Sequence, residues 1–286
     1  MAEKEDQEEA AAPAQRPAVD PPPVLRPDSL PISYPARPDP LLAEHPITYT
    51  DPAHQARHEQ RLRRIRRWRR PLDRGRDRLR AWLNMLFVDH GILRLFYPNR
   101  WQVTDRMWRS SQPLPHHLRS FFRKGGRAVV SLRGGQTFGS LPLEIEACMA
   151  AEVPFHTIIL RSRDLPERDE LLEIIDVLPK LLTPVLFHCK SGADRAGFMA
   201  ALWLLVIEER PLAEAQGQLS LRFGHIRQAK TGVLDAFFDA FGAAGGHAGL
   251  SFRDWVATEY DPGAIKAAFR PTTLASLIGD GILRRE

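Results

Sequence analysis

Pro184-Val185-Leu186-Phe187-His188-Cys189-Lys190-Ser191-Gly192-Ala193-Asp194-Arg195-Ala196-Gly197 decides the fold of this 286-residue chain. Its first four residues form an apolar run, and Phe198 to Ile207 reads Phe-Met-Ala-Ala-Leu-Trp-Leu-Leu-Val-Ile. A short apolar run, a polar turn and a longer apolar run predict a buried strand, a tight loop and a buried helix. The loop therefore sits at a helix N-terminus, where six consecutive backbone N–H groups and the helix dipole attract an anion of phosphate size. Cys189 lies at the base of that pocket, where the same field favours thiolate over thiol. Arg195 can fold back and offer its planar fork to two phosphate oxygens, which a lysine cannot match. Gly192 lets the loop bend through positive φ. The expected phosphate ligands are Lys190, Ser191, Gly192, Ala193, Asp194 and Arg195.

With average composition, a His, a Gly and an Arg at these offsets from a given Cys coincide on the order of one time in ten thousand. His188-Cys189 followed by Arg195, between a buried strand and a helix, resembles the signature of the cysteine-dependent protein tyrosine and dual-specificity phosphatases. The resemblance implies hydrolysis of a phosphate monoester in two steps. Cys189 attacks phosphorus, an acid protonates the leaving oxygen, and water then releases phosphate from the phosphocysteine. No metal and no cofactor are implied. One position departs from the family pattern: a Ser or Thr usually follows the Arg, and Ala196 stands here. That departure implies slower breakdown of the intermediate and leaves phosphate binding and attack intact. The family also places an acidic residue on a loop upstream of the cysteine strand. Asp164 in Arg161-Ser162-Arg163-Asp164-Leu165-Pro166 matches by order, 25 residues before Cys189. The alternatives are Asp194 inside the loop, then Glu167 and Asp169.

Away from the loop, composition changes abruptly. Residues 1–58 hold twelve of the 24 prolines and ten acids against five bases. Such a segment buries too little apolar surface to offset its ordering entropy, so a disordered tail is expected. Met1-Ala2-Glu3-Lys4-Glu5-Asp6 is acidic and no apolar secretory core follows, which favours a cytoplasmic protein. Two cysteines, Cys148 and Cys189, fit a reducing compartment and no disulfide framework. Ordinary helix packing is expected of Cys148, with capture of an oxidised Cys189 as the alternative.

Arg61 to Arg80 then contains eleven arginines and two aspartates, interleaved with Leu62, Ile65, Trp68, Leu72 and Leu79. Ala81 to Val88 is apolar but too short to span a bilayer. The stretch Arg61–Val88, read as two short helices broken by Pro71 and Gly75, suits an anionic membrane surface or a solvated face against the catalytic domain. Without a nucleic-acid module, nucleic acid is an unlikely partner. A peripheral position on the inner face of a membrane is the matching location.

The globular core is expected from Asn99. Two short strands, Trp101-Gln102-Val103 and Met107-Trp108-Arg109, lead to Arg109-Ser110-Ser111-Gln112-Pro113, which is similar to the opening segment of small bacterial members of the same family. Leu114–Lys124 reads as a helix, and Ala128–Leu132 and Phe155–Leu160 read as buried parallel strands. Arg133 stands at a strand end, where ligands collect, or pairs with a structural carboxylate. Helices are expected over Glu144–Ala151, Asp169–Leu182, Leu212–Phe223, Val233–Phe241, Phe252–Tyr260 and Pro262–Arg270. The fold is thus an α/β domain over 99–245, with a four- or five-stranded largely parallel sheet flanked by helices. An arginine-rich segment (59–98) precedes it, and a helical extension and tail (246–286) follow. The resemblance implies phosphorylated protein as substrate first, because Asp194 would repel a polyphosphorylated headgroup. A phosphorylated membrane lipid or glycolipid comes next, since Lys190 after the Cys is similar to loops of phosphoinositide phosphatases. A weakly catalytic phospho-binding module is the third reading.

Overall fold

In the computed structural model the described residues are 32–34, 63, 67, 68, 72, 74–133, 138–245 and 249–272. The central strand is β6 (Val185–His188), whose β-branched and aromatic side chains are buried on both faces. It lies between β3 (Met107–Ser110) and β4 (Ala128–Ser131), parallel to both. Outside β4 runs β5 (Phe155–Ile158), and outside that Ile32–Tyr34, here β1. β2 (Trp101–Gln102) closes the other edge as the sole antiparallel strand among the described residues, giving the order β1-β5-β4-β6-β3-β2. The expected largely parallel α/β sheet is therefore present. Five strands fall within residues 101–188, and β1 adds a sixth at the edge. Apart from β1, the segment 1–58 read as a disordered tail lies outside the described residues.

Side chains alternate across this sheet. Ala128, Val130, Val185 and Phe187 face one layer, while Val129 and Leu186 face the other. The first layer is built on α6 (Asp194–Val206), whose residues from Asp194 to Leu205 are all buried. Against it pack α5 (Arg168–Val177), α8 (Val233–Ala243) and α9 (Phe252–Thr258), with Phe237 edge to face against Phe198, Trp255 and Tyr260 and Phe241 tilted against Trp255, at centroid separations near 5 Å. Burying each such ring is worth about 1.5–3 kcal/mol, so the extension after residue 246 belongs to this core. α10 (Pro262–Ala268) follows, capped by Asp261, whose carboxylate accepts from the Ala264 N–H at 2.9 Å. α7 is shorter than expected: it spans Leu212–Gln216, and Gly217 ends it.

The second layer holds α3 (Pro115–Arg123) and α4 (Ser140–Met149). Beyond them lies α1 (Gly75–Leu83), continued by a widened turn over Asn84–Val88, and then α2 (Gly91–Phe96). Trp68, Ala81 and Met85 are buried with Leu114 and Leu143. Packing onto the body of the fold therefore includes residues before Asn99. At the corner between α1 and α2 the chain must pass close to itself, since a Cβ on Gly91 would lie 2.5 Å from the Met85 carbonyl oxygen.

Register brings the functional loops together. Ser110 of β3, Ser131 of β4 and His188 of β6 lie side by side at the strand carboxyl ends. The segments starting at Ser111, Leu132 and Cys189 therefore leave the sheet at one place.

Candidate active site

Cys189 directly follows β6, and Asp194 opens α6, so the loop spans five residues between a strand end and a helix start. Cys189 is 1% exposed, and its Sγ receives the backbone N–H of Gly192 at 3.2 Å. That contact requires the chain to double back, which Gly192 does at φ +76°. A Cβ there would meet Ser111 N at 2.5 Å and the Ser110 carbonyl carbon at 2.7 Å, so the position admits glycine for two separate reasons.

The loop is held from outside by side chains distant in sequence. Arg109 of β3, wholly buried, donates through Nη2 to the carbonyls of Gly192 and Ala193 at 2.8 and 3.0 Å. Its Nη1 reaches the Gln218 carbonyl at 2.6 Å, and its guanidinium lies 4.1 Å from the Phe223 ring centre. In planar trans peptides, fixing these carbonyls turns the attached N–H groups of Ala193 and Asp194 to the opposite side. Burial lowers the Arg109 guanidinium to about 10, with Cys189 and Asp194 pulling the other way, so it is charged at neutral pH. Asn99 donates from Nδ2 to the carbonyls of Ser191 and Phe223, both at 2.9 Å. Gln112 N–H donates to the Lys190 carbonyl at 3.3 Å.

The loop residues divide by where their side chains go. Arg195, 7% exposed, donates from Nη1 to the Leu132 carbonyl at 3.4 Å, which sets it beside the β4 end. Lys190 Nζ stands 5.8 Å from the Phe138 ring centre, and Ser191 Oγ accepts the Ala193 N–H at 3.3 Å. Asp194 is 2% exposed and turned to His225, whose Nδ1 lies 2.8 Å from Asp194 Oδ1. The other ring nitrogen of His225 is 2.6 Å from Asp235 Oδ2. Burial pushes the His225 imidazole down, but hydrogen bonds and charge from the two carboxylates outweigh it and hold it above its ordinary value. Asp194 can thus serve the loop through its backbone N–H, while its carboxylate is engaged with the histidine. Ala196 is fully buried in the core and brings no hydroxyl to the site.

Beneath the loop runs a buried polar chain. Arg133 grips Asp89 with two bonds, Nη2 to Oδ1 at 3.0 Å and Nη1 to Oδ2 at 3.1 Å, and reaches Gln112 Oε1 at 2.9 Å. Gln112 Nε2 donates to Glu144 Oε2 at 2.8 Å, and Glu144 Oε1 lies 2.6 Å from His188 Nε2 at ion-pair distance without hydrogen-bond alignment. Arg94 and Ser140 complete the ring around Asp89 at 2.9 and 3.1 Å. Burial pushes the Asp89 carboxyl up, but Arg133 and Arg94 together hold it below the usual carboxylate range. Of the two readings for Arg133, this is the carboxylate-pairing one.

Asp164 lies on the loop after β5. Lys266 Nζ donates to its Oδ1 at 2.9 Å and Arg161 Nη1 to its Oδ2 at 3.2 Å. Burial acts to raise this carboxyl, but Lys266, the Leu165 N–H and Arg161 prevail and lower it, favouring the ionised form. Cys148 packs with Val129 and Leu186 on one face of the sheet, whereas Cys189 clusters with Val130 and Phe187 on the other. The sheet separates the two thiols, which leaves Cys148 in the packing role expected of it rather than the alternative redox pairing, and burial pushes the Cys148 thiol well up. The described residues hold no cluster of His, Cys, Asp and Glu able to bind a metal ion.

Residues 152–211, which contain the loop, match the model of the tyrosine phosphatase family. No curated protein matches the chain. Among solved structures it is similar to Pseudomonas aeruginosa TpbA, at 20% identity over 56% of this chain and 91% of that one, with a TM-score of 0.43. A putative phosphatase from Shewanella putrefaciens is similar at 17% identity over 55% and 99%, TM-score 0.43. PTPMT1 follows at 16% over 51% and 98%, TM-score 0.39. The resemblance to the tyrosine and dual-specificity phosphatase superfamily is borne out by the family match over that segment. The family match covers residues 152–211, so the resemblance to a phosphatase of the tyrosine phosphatase type rests on that segment.

Arg109, Asn99, His225 and Asp89 were given no role by sequence reading. The one available signal was Arg109-Ser110-Ser111-Gln112-Pro113, whose arginine and glutamine both prove to hold the loop region.

Proposed function

We propose that the chain hydrolyses phosphate monoesters through a phosphocysteine on Cys189, with phosphorylated protein as substrate. The observation that carries the reading is the Gly192 N–H directed at Cys189 Sγ at 3.2 Å, at the N-terminus of α6. That donor and the helix dipole stabilise negative charge on sulfur, and Arg109 keeps the loop peptides turned for anion binding. In the first step the Sγ electron pair forms the S–P bond as the P–O ester bond breaks, and an acid protonates the leaving oxygen. Water then attacks phosphorus, the S–P bond breaks, and phosphate leaves with sulfur restored. Arg195 and the N–H groups from Lys190 to Arg195 hold the phosphoryl oxygens. Asp164 is the proposed acid, released from Lys266 and Arg161 when substrate enters. Ala196 offers no hydroxyl to the second step, which makes breakdown of the phosphocysteine the slower half.

Phosphate release by the full chain and by its Cys189→Ser variant tests the proposal. The panel holds an aryl phosphate, phosphotyrosine and phosphoserine peptides, and phosphoinositide vesicles. Cysteine-dependent release with peptide preference is expected. Preference for vesicles would move the substrate to phosphorylated lipid, and tight capture of phosphopeptide without release would leave a binding module.

A further inference from the structure

The outer face of the α1 and α2 pair is apolar where a solvated surface would be polar. Ala81 of α1 and Met85 of the turn that continues it are fully buried, and the opposite stripe is Leu79, Leu83 and Phe87, spaced by four and exposed by 59%, 47% and 62%. In α2 the only cation, Arg94, is turned inward onto Asp89. Its outward residues are Ile92, Leu93, Leu95 and Phe96, the last exposed by 85%. Exposed apolar residues concentrated in one short stretch, rather than scattered singly, mark an interaction surface.

Charge identifies the partner. Arg63, Arg67, Arg74, Arg76, Arg78 and Arg80 are exposed on the same segment, with Asp77 and the Glu146 partner of Arg78 as opposing charges. Arg76 and Arg80 flank Leu79 on the helix, at three residues before and one after. Arg67, Arg80, Leu83 and Phe87 border a shared depression of about 480 Å³. A helix with basic residues beside large apolar ones lies in a lipid interface, cations at the headgroups and apolar side chains below them. Among the described residues no helix is long and apolar enough to cross a membrane, so the element would lie on the bilayer.

We propose that this face, Leu79 and Leu83 of the first helix, Phe87 of the turn that continues it and Leu93 and Phe96 of the second, seats the protein on an anionic phospholipid surface. It differs from the arginine-rich helix anticipated in the sequence, because Trp68 packs inward at 7% exposure and α2 contributes apolar residues outside Arg61–Val88. The two helices are tied to the Cys189 loop through the interior. α2 runs through Tyr97 into Asn99, which holds the Ser191 carbonyl, and Arg133 joins the corner residue Asp89 to Gln112 beneath the loop.

The test is flotation of the full chain with vesicles of phosphatidylcholine alone or mixed with phosphatidylglycerol, comparing wild type with the Phe87→Glu/Leu93→Glu/Phe96→Glu variant. Wild type is expected to bind the mixed vesicles, weaken as salt rises, and lose about tenfold or more in partitioning on triple substitution. Aryl phosphate hydrolysis and melting temperature should not change, since all three side chains are exposed. Binding equal in wild type and variant, or no binding to mixed vesicles, overturns the proposal. So does a self-associated wild type that the substitutions render monomeric without vesicle binding. Hydrolysis of the soluble aryl phosphate reports the chemistry at Cys189 separately, so failure of that reading is distinguishable from failure of docking.

Discussion

Replacing His225 by glutamine removes an imidazole that stands between two buried carboxylates, 2.8 Å from Asp194 and 2.6 Å from Asp235. When protonated, the ring donates from both nitrogens; a glutamine amide at this site reaches one carboxylate and leaves the other buried without its partner. Breaking one side of a buried ion pair costs about 3–5 kcal/mol. A protein of this size loses about 2–4 °C per kcal/mol, so the melting temperature should fall by about 6–20 °C near neutral pH. The pH dependence has a definite sign. His225 is raised in the fold, so the stability it supplies is complete below the ordinary histidine pKa of about 6.5 and is lost as pH rises through the raised value. The advantage of wild type over His225→Gln should therefore shrink upward from about pH 6.5. Because Asp194 immediately precedes Arg195, the variant should also bind phosphate and aryl phosphate more weakly. Thermal melting followed by circular dichroism across a pH series reads the first effect, and KM the second. A variant melting within about 2 °C of wild type, less than 1 kcal/mol, or an advantage flat with pH would refute the clamp.

Two further predictions follow from the same region. Gly192→Ala places a Cβ 2.5 Å from Ser111 N at a φ of +76°; the left-handed backbone alone costs about 1–2 kcal/mol, and kcat/KM should fall by about tenfold or more, with wild-type activity in the variant counting against the loop geometry. Lys266→Ala removes the first of the hydrogen-bonding groups that hold the Asp164 carboxyl down in the free protein, so if Asp164 is the acid, the alkaline limb of the kcat/KM profile moves to higher pH; an unmoved profile transfers the role to another carboxylate.

How much was readable in advance follows from sequence distance. Pro184 to Ile207 is contiguous, and each of its properties, an apolar strand, a glycine-hinged turn and a buried helix, is set by neighbours a few residues away. The same holds for β4 and β5 as buried parallel strands and for the aromatic helices after residue 233, where apolar runs report burial directly. Leu212–Phe223 misled because its apolar pattern persists through Gly217 and Ser220, although the helix itself stops at Gln216.

The placement of Cys189 and Arg195, the proposed nucleophile and phosphate ligand, on one strand–loop–helix unit and the parallel α/β architecture were determined by sequence alone, since strand, loop and helix dictate one another locally. Only the tertiary structure decided what surrounds them. Arg109 is 83 residues from Gly192, Asn99 is 92 from Ser191, Arg133 is 44 from Asp89, and His225 is 31 from Asp194. An arginine or aspartate in a sequence carries no mark of its partner. Burial makes the pairing compulsory, because an unpaired charge inside the fold costs several kcal/mol, but which charges share a site is settled by the register of β3, β4 and β6. The same holds for the face of α1 and α2: periodicity shows two apolar stripes, and only packing against Leu114 and Leu143 shows which one remains outside.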